Sequence, residues 1–193
     1  YQTRAVEAVK EAFRGERSVC LVAPTGAGKK VLGLEVVART LTRYQSVYAL
    51  WVCHRVELVE QARARAISFG IDMDRFRAAA VQGYVARGEV PNAGLLVLDE
   101  AHRYGPGAPE FNAFAEKYRA CWRLGLTATP QRADGTPLGD LFGAMVVAAT
   151  HSELRRDGHL VRCRTIRPDG PLAGLAQDPA TAIAAHAADR RCF

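Results

Sequence analysis

Long hydrophobic runs are missing from this 193-residue chain: no stretch approaches the roughly 20 apolar residues that a membrane-spanning helix needs. The opening residues carry no signal-peptide layout. The expected address is therefore cytoplasmic and away from membranes, with nucleoid or nuclear association left open. Cysteine is sparse and unpaired in pattern. Cys20, Cys53, Cys121, Cys163 and Cys192 are odd in number and widely spaced, with no C-x-x-C pair. That excludes a disulfide framework and a zinc ribbon, and suits a reducing compartment. His54, His151, His159 and His186 stand apart without metal-ligand spacing. Internal repeats and low-complexity tracts are absent too, which removes solenoids and arrays.

What is present is an ordinary globular composition, 49% apolar and 24% charged, in a chain long enough to bury one substantial core. Lys+Arg 26 against Asp+Glu 20 gives a net charge of +6, and the isoelectric point is near 9.3. A basic excess of this size suits a polyanionic partner without proving one.

The most informative segment is Ala23-Pro24-Thr25-Gly26-Ala27-Gly28-Lys29-Lys30. It follows the apolar run 18–23 and precedes an amphipathic stretch from Val31 to Tyr44. A strand feeding a glycine turn into a helix aims backbone N–H groups and the positive helix end at one point, as a phosphate requires. Gly26 and Gly28 permit close backbone approach, and Lys29 supplies a point charge for the β- and γ-phosphates. The segment departs from G-x-x-x-x-G-K-[ST] at its end. There Lys30 replaces the hydroxyl that ordinarily ligates Mg²⁺, and an ammonium has no lone pair to offer a metal.

A second signal lies about 70 residues on. Leu95-Leu96-Val97-Leu98 reads as a buried parallel strand, and it ends in the adjacent carboxylates Asp99 and Glu100. Ligands of open α/β sheets gather at the carboxyl ends of strands. Asp99 is thus placed to hold Mg²⁺, directly or through water, and Glu100 to polarise an attacking water.

These residues carry a resemblance. Asp99-Glu100-Ala101-His102 spells the DEAH form of motif II of superfamily 2 helicases and translocases, and Gly125-Leu126-Thr127-Ala128-Thr129-Pro130 resembles their motif III. His54-Arg55-Val56-Glu57-Leu58-Val59-Glu60-Gln61 resembles motif Ia, and Tyr1-Gln2 the pair that opens the first helix. Gln82 sits where this group has a Gln-Thr pair, from which Gly83 departs. Five motifs in the family's order cover residues 1 to about 165, and the tail Gln131-Arg132-Ala133-Asp134-Gly135 is similar to DNA-acting members.

The resemblance implies roles. Pro24, Thr25, Gly26, Ala27, Gly28, Lys29 and Lys30 would hold the triphosphate of ATP, and Gln2 would read adenine. Asp99, Glu100 and Lys29 would be catalytic, with Asp99 on Mg²⁺. His102, Thr127 and Thr129 would couple hydrolysis to nucleic-acid grip, and Arg55 would touch the nucleic-acid backbone. Arg132 is left as an interdomain or phosphate contact. Most of the other arginines of 51–90 read as a solvated helix face.

Alternation of apolar runs and amphipathic segments predicts an α/β fold: a RecA-like P-loop domain, a mostly parallel sheet with helices on both faces. Strands are expected at 18–23, 47–53, 77–81, 95–99, 121–127, 146–150 and 160–166. Helices are expected at 2–14, 30–43, 55–68, 109–118 and 151–157. Residues 1–166 form the expected ATP-binding lobe. Residues 167–193 read as a linker, a helix and the first strand of a second RecA-like lobe, and the opening on Tyr1 suits an excised motor domain. In the resembling family that second lobe brings the arginine fingers, so the chain alone is expected to hydrolyse ATP poorly.

The function expected is thus the ATP-binding lobe of a DNA helicase or translocase. Two rivals stay open: an RNA helicase lobe, and a non-hydrolysing nucleotide-binding or scaffold module, which Lys30 and Gly83 favour. Competition between DNA and RNA at fixed salt separates the first. Nucleotide titration with and without Mg²⁺, followed by phosphate release, separates the second.

Overall fold

The computed structural model describes residues 1–81, 83, 93–105 and 117–161, and up to Leu160 they belong to one compact unit. The expected helix 109–118, the expected strand beyond Val161, Gln82 and the whole of 167–193 fall outside the described residues, apart from Lys117 and Tyr118.

Helix α1 spans Gln2–Gly15 and buries Ala5, Val6 and Val9, the stripe that its apolar spacing predicts. Strand β1 (Ser18–Val22) is buried throughout. Helix α2 (Lys29–Arg43) begins directly at the glycine turn, and β2 (Ala49–Cys53) is again buried along its length. Helix α3 (Val56–Ser68), β3 (Phe76–Ala80), β4 (Leu95–Asp99), a 3₁₀ turn (Ala101–Arg103), β5 (Trp122–Thr127), β6 (Ala144–Val147) and α4 (His151–Arg156) follow.

The six strands pair in the order β3-β2-β4-β5-β1-β6, every pair parallel. Parallel pairing requires crossovers, which lay helices over the faces, and this explains why the central strands are continuous apolar runs. Leu21, Leu32, Trp51, Val97, Leu124 and Leu126 belong to the larger of two buried clusters. Each such side chain contributes about 1.5–3 kcal/mol on burial. Gly33 lets α2 settle onto the sheet, since a Cβ there would come within 2.7 Å of Leu126 and 2.8 Å of Trp51.

Most boundaries shift by one or two residues from expectation, β2 starting at Ala49 and β3 covering Phe76–Ala80. Strand β6 begins at Ala144 and ends at Val147, because Thr150 starts a capping box: its hydroxyl accepts from the Glu153 N–H at 3.2 Å while Glu153 accepts from the Thr150 N–H at 2.7 Å. Cys121 lies just before β5 and is half-buried, its thiol donating to the Ala93 carbonyl at 2.7 Å, whereas Cys20 and Cys53 are buried in the core.

Candidate functional site

Parallel pairing puts every strand's carboxyl end on one edge of the sheet. In register, Val22 pairs with Thr127 across β1 and β5, and Leu126 with Asp99 across β5 and β4. Val52 on β2 pairs with Leu98, so Cys53 and His54 follow at the same edge. The glycine turn, the acidic pair, the Thr-Ala-Thr segment and the start of α3 therefore meet at the ends of adjacent strands, although they lie far apart in sequence.

The turn has the backbone that a phosphate cradle needs. Gly26 and Gly28 take φ of 83° and 73°, conformations that a side chain resists. The Ala27 N–H donates to the Pro24 carbonyl at 3.0 Å, and Gly28 passes the chain into α2 with no side-chain cap, leaving the first helical N–H groups unclaimed by one. The Tyr1 hydroxyl donates to the Ala27 carbonyl at 2.9 Å, and the Gln2 amide lies against Gly28, where an added Cβ would sit 3.1 Å from Gln2 Nε2. The first residues of the chain thus brace the turn. Thr25 is exposed, and Lys29 forms no hydrogen bond or ion pair among the described residues.

Asp99 is 2% exposed; its Oδ1 accepts from the Glu100 N–H at 3.1 Å and its Oδ2 has no hydrogen-bond partner. Burial raises its carboxyl above the usual carboxylate range. Lys30 pulls it back, Glu100 pushes it up, and Lys29 pulls more weakly. Both lysines of the turn therefore act on the carboxylate at the end of β4.

Glu100 has φ 53°, and no other non-glycine residue with positive φ occurs among the described residues. Strain of this kind collects where a side chain must be aimed.

Beyond it, His102 Nδ1 lies 3.0 Å from Thr127 Oγ1 and 3.6 Å from Glu100 Oε2. Thr127 is fully buried; its hydroxyl donates to the Thr129 carbonyl at 2.7 Å and accepts from the Thr129 N–H at 3.1 Å. A hydroxyl has one proton, so Nδ1 donates to Thr127. His102, Thr127 and Thr129 thus form one hydrogen-bonded chain from the end of β4 to the end of β5.

His54 stands beside this group. Its imidazole is held below its ordinary range, first by burial, then by the Arg103 and Arg55 charges, with Glu100 opposing. Arg55 is the exposed N-terminal cap of α3 and makes no hydrogen bond or ion pair among the described residues.

Arg132 is a structural clamp. Its Nε donates to the Tyr104 carbonyl at 3.2 Å, one terminal nitrogen to Thr136 Oγ1 at 3.2 Å and the Pro137 carbonyl at 2.8 Å, and the other to both Asp140 oxygens at 2.6 and 2.7 Å. Every donor is engaged, leaving none for a phosphate. A cavity of about 700 Å³ opens between this clamp and His102–Gly105, and no residue of 24–30 lines it.

Sequence reasoning gave no part to Gln61, Asp140 or the Tyr1 hydroxyl. Gln61 Oε1 accepts from Lys30 Nζ at 3.0 Å. Its partner lies 31 residues away, and nothing in the local pattern marks it.

Among the described residues no group of three or more His, Cys, Asp or Glu side chains could hold a metal ion. Mg²⁺ ordinarily needs only one or two carboxylates besides phosphate oxygens and water. The buried, unpartnered Asp99 Oδ2 meets that need, but the neighbouring position offers the Lys30 ammonium instead of a hydroxyl. The side chains present do not make the usual Mg²⁺ pair.

A family model described as type III restriction enzyme, res subunit, matches residues 1–89 and 86–132. Over 148 residues, 70% of this chain, the sequence is 30% identical to the DNA 3'-5' translocase XPB2 of Sulfurisphaera tokodaii, of which it covers 31%. Over 88% of the chain it is 27% identical to a type I restriction enzyme EcoAI endonuclease subunit of Escherichia coli, covering 24% of that protein. The chain thus spans less than a third of the length of these curated relatives.

Among solved structures, the Hef helicase domain of Pyrococcus furiosus superposes with a TM-score of 0.57 at 19% identity, over 78% of this chain and 38% of that one. The type ISP restriction-modification enzyme LlaGI, solved with a DNA substrate mimic, superposes with a TM-score of 0.64 at 15% identity, over 81% of this chain and 20% of that one. Likeness at such identities establishes the RecA-like fold.

Proposed function

The chain belongs to the type III restriction enzyme res-subunit family, within the superfamily 2 helicases, and on that premise we propose that it is the ATP-binding lobe of an ATP-dependent DNA helicase or translocase. The observation that carries the reading is the parallel register that ends β1, β5 and β4 side by side, which supports one pocket formed by the glycine turn and the acidic pair. In that pocket residues 24–30 cradle the triphosphate with backbone N–H groups and the α2 terminus, and Lys29 adds its charge. Gln2 reads adenine from its position against Gly28.

Glu100 is the group that orients the water for in-line attack on the γ-phosphorus. The His102–Thr127–Thr129 chain carries the change at that carboxylate towards the nucleic-acid face. Arg55, exposed and unpaired among the described residues, contacts the phosphate backbone of the track. DNA is favoured over RNA because XPB2 is by its name a DNA translocase and LlaGI was solved with a DNA substrate mimic. A second RecA-like lobe of the same polypeptide completes the site with its arginine fingers.

The test is phosphate release by the intact protein with and without duplex DNA. Wild type is expected to be stimulated by DNA, and Glu100→Gln to lose turnover while still binding nucleotide. Lys30 favours a second reading, a nucleotide-binding module that does not hydrolyse. Tight binding with no phosphate release at any DNA concentration would favour it over the motor.

A further inference from the structure

Lys30 stands at the position where the nucleotide loop of the family carries a metal-ligating hydroxyl. Its side chain is not left to wander in solvent, because Gln61 on α3 accepts a hydrogen bond from Nζ at 3.0 Å and fixes the ammonium at the mouth of the turn. Asp99, 2% exposed, ends β4 at the same edge of the sheet as the turn and leaves its Oδ2 without a hydrogen-bond partner. Lys30 is the strongest of the charges that counter the burial of that carboxylate, ahead of Lys29. A buried carboxylate of this kind calls for a cation, and the positive charge closest in effect belongs to the protein itself.

We propose that the Lys30 ammonium, held by Gln61, is the resident cation of this nucleotide site, so that a nucleoside triphosphate binds here without a divalent metal. The inference rests on the nucleotide-binding reading above and adds how the anion is neutralised. A triphosphate arriving at the turn meets two ammonium groups and the unclaimed N–H groups of α2, and Lys30 exchanges the Gln61 oxygen for a phosphate oxygen. An incoming Mg²⁺ meets a fixed like charge and finds no hydroxyl oxygen where one ordinarily completes its shell. Gln61 is a positioning residue in this arrangement: it keeps the ammonium in place while the site is empty.

The experiment measures equilibrium binding of a fluorescent, non-hydrolysable ATP analogue to the intact protein, in excess Mg²⁺ and in excess chelator. Wild type, Lys30→Met and Lys30→Thr are compared, with circular dichroism to verify that each is folded. The expected result is a wild-type affinity that changes by less than about twofold between the two conditions. Lys30→Met loses about tenfold or more in chelator, and Lys30→Thr becomes Mg²⁺-dependent by about tenfold or more. Wild-type binding that needs Mg²⁺ by about tenfold, or Lys30→Met binding as tightly as wild type in chelator, overturns the inference and leaves the nucleotide-binding reading standing. Absence of binding by wild type in both conditions overturns both.

Discussion

His102 Nδ1 donates to Thr127 Oγ1 across 3.0 Å, tying the end of β4 to the end of β5 through a hydroxyl whose own proton is committed to the Thr129 carbonyl. The bond engages Nδ1 and fixes the orientation of the ring. Thr127→Val keeps the shape of this buried side chain and removes the acceptor. It is expected to cost about 1–2 kcal/mol of stability by denaturant unfolding, and to weaken DNA stimulation of ATP turnover more than nucleotide affinity. Equal losses in both would place Thr127 in binding rather than coupling.

Lys29 makes no hydrogen bond or ion pair among the described residues, so its removal takes nothing from the fold. Lys29→Ala is expected to unfold at the wild-type denaturant midpoint while nucleotide affinity falls by about tenfold or more, the scale of one lost charge-assisted contact. Fluorescence titration of the same analogue reads it directly.

Arg132 shows the opposite pattern, a guanidinium with every donor engaged and its side chain only 13% exposed. Arg132→Lys cannot reproduce the fork to Asp140 or reach the Tyr104 carbonyl at the same time. Urea unfolding should show a loss of about 2 kcal/mol. A silent substitution would mean that the clamp is ornamental.

The His54 imidazole is held below its ordinary range, so the folded protein refuses a proton that the unfolded chain accepts. Stability therefore falls as pH drops below about 6.5 towards the lowered value, and it recovers above that window. His54→Gln should flatten the pH dependence of Tm across that window. Imidazole titration followed by NMR should place the group below the unperturbed histidine range.

Gly33 is where α2 touches the sheet, and Gly33→Ala would drive a methyl group into Leu126 and Trp51. Overpacking of this kind costs about 1–3 kcal/mol. Because α2 carries the glycine turn at its N-terminus, thermal unfolding and nucleotide titration should show stability and affinity falling together.

The elements were legible where composition alone decides them. Continuous apolar runs gave β1, β2, β4 and β5 to within two residues, since strands buried on both faces are made mostly of apolar residues. The glycine turn and the acid pair were legible because their chemistry demands particular residue types at short spacing.

Other features depended on neighbours distant in sequence. Ser18 pairs with Arg123, and Lys30 reaches Gln61, and no local pattern announces either. Periodicity says which face is buried but not what buries it. The five-donor clamp of Arg132 was invisible for that reason, and its sequence context pointed instead to a phosphate or interdomain contact. Strand β6 was displaced in the reading because Ala148 and Ala149 look like strand residues, while the Thr150 cap ends the ladder before them.

The claim on which all of this depends is that the glycine turn and the Asp99–Glu100 pair enclose one nucleotide site. An amide-resolved NMR titration of the isotopically labelled protein with the ATP analogue tests it most directly. The account predicts that the amides of residues 24–30 and those of Asp99 and Glu100 shift together along a single binding curve. Shifts confined to one of the two groups, or centred on another face of the sheet, would contradict it.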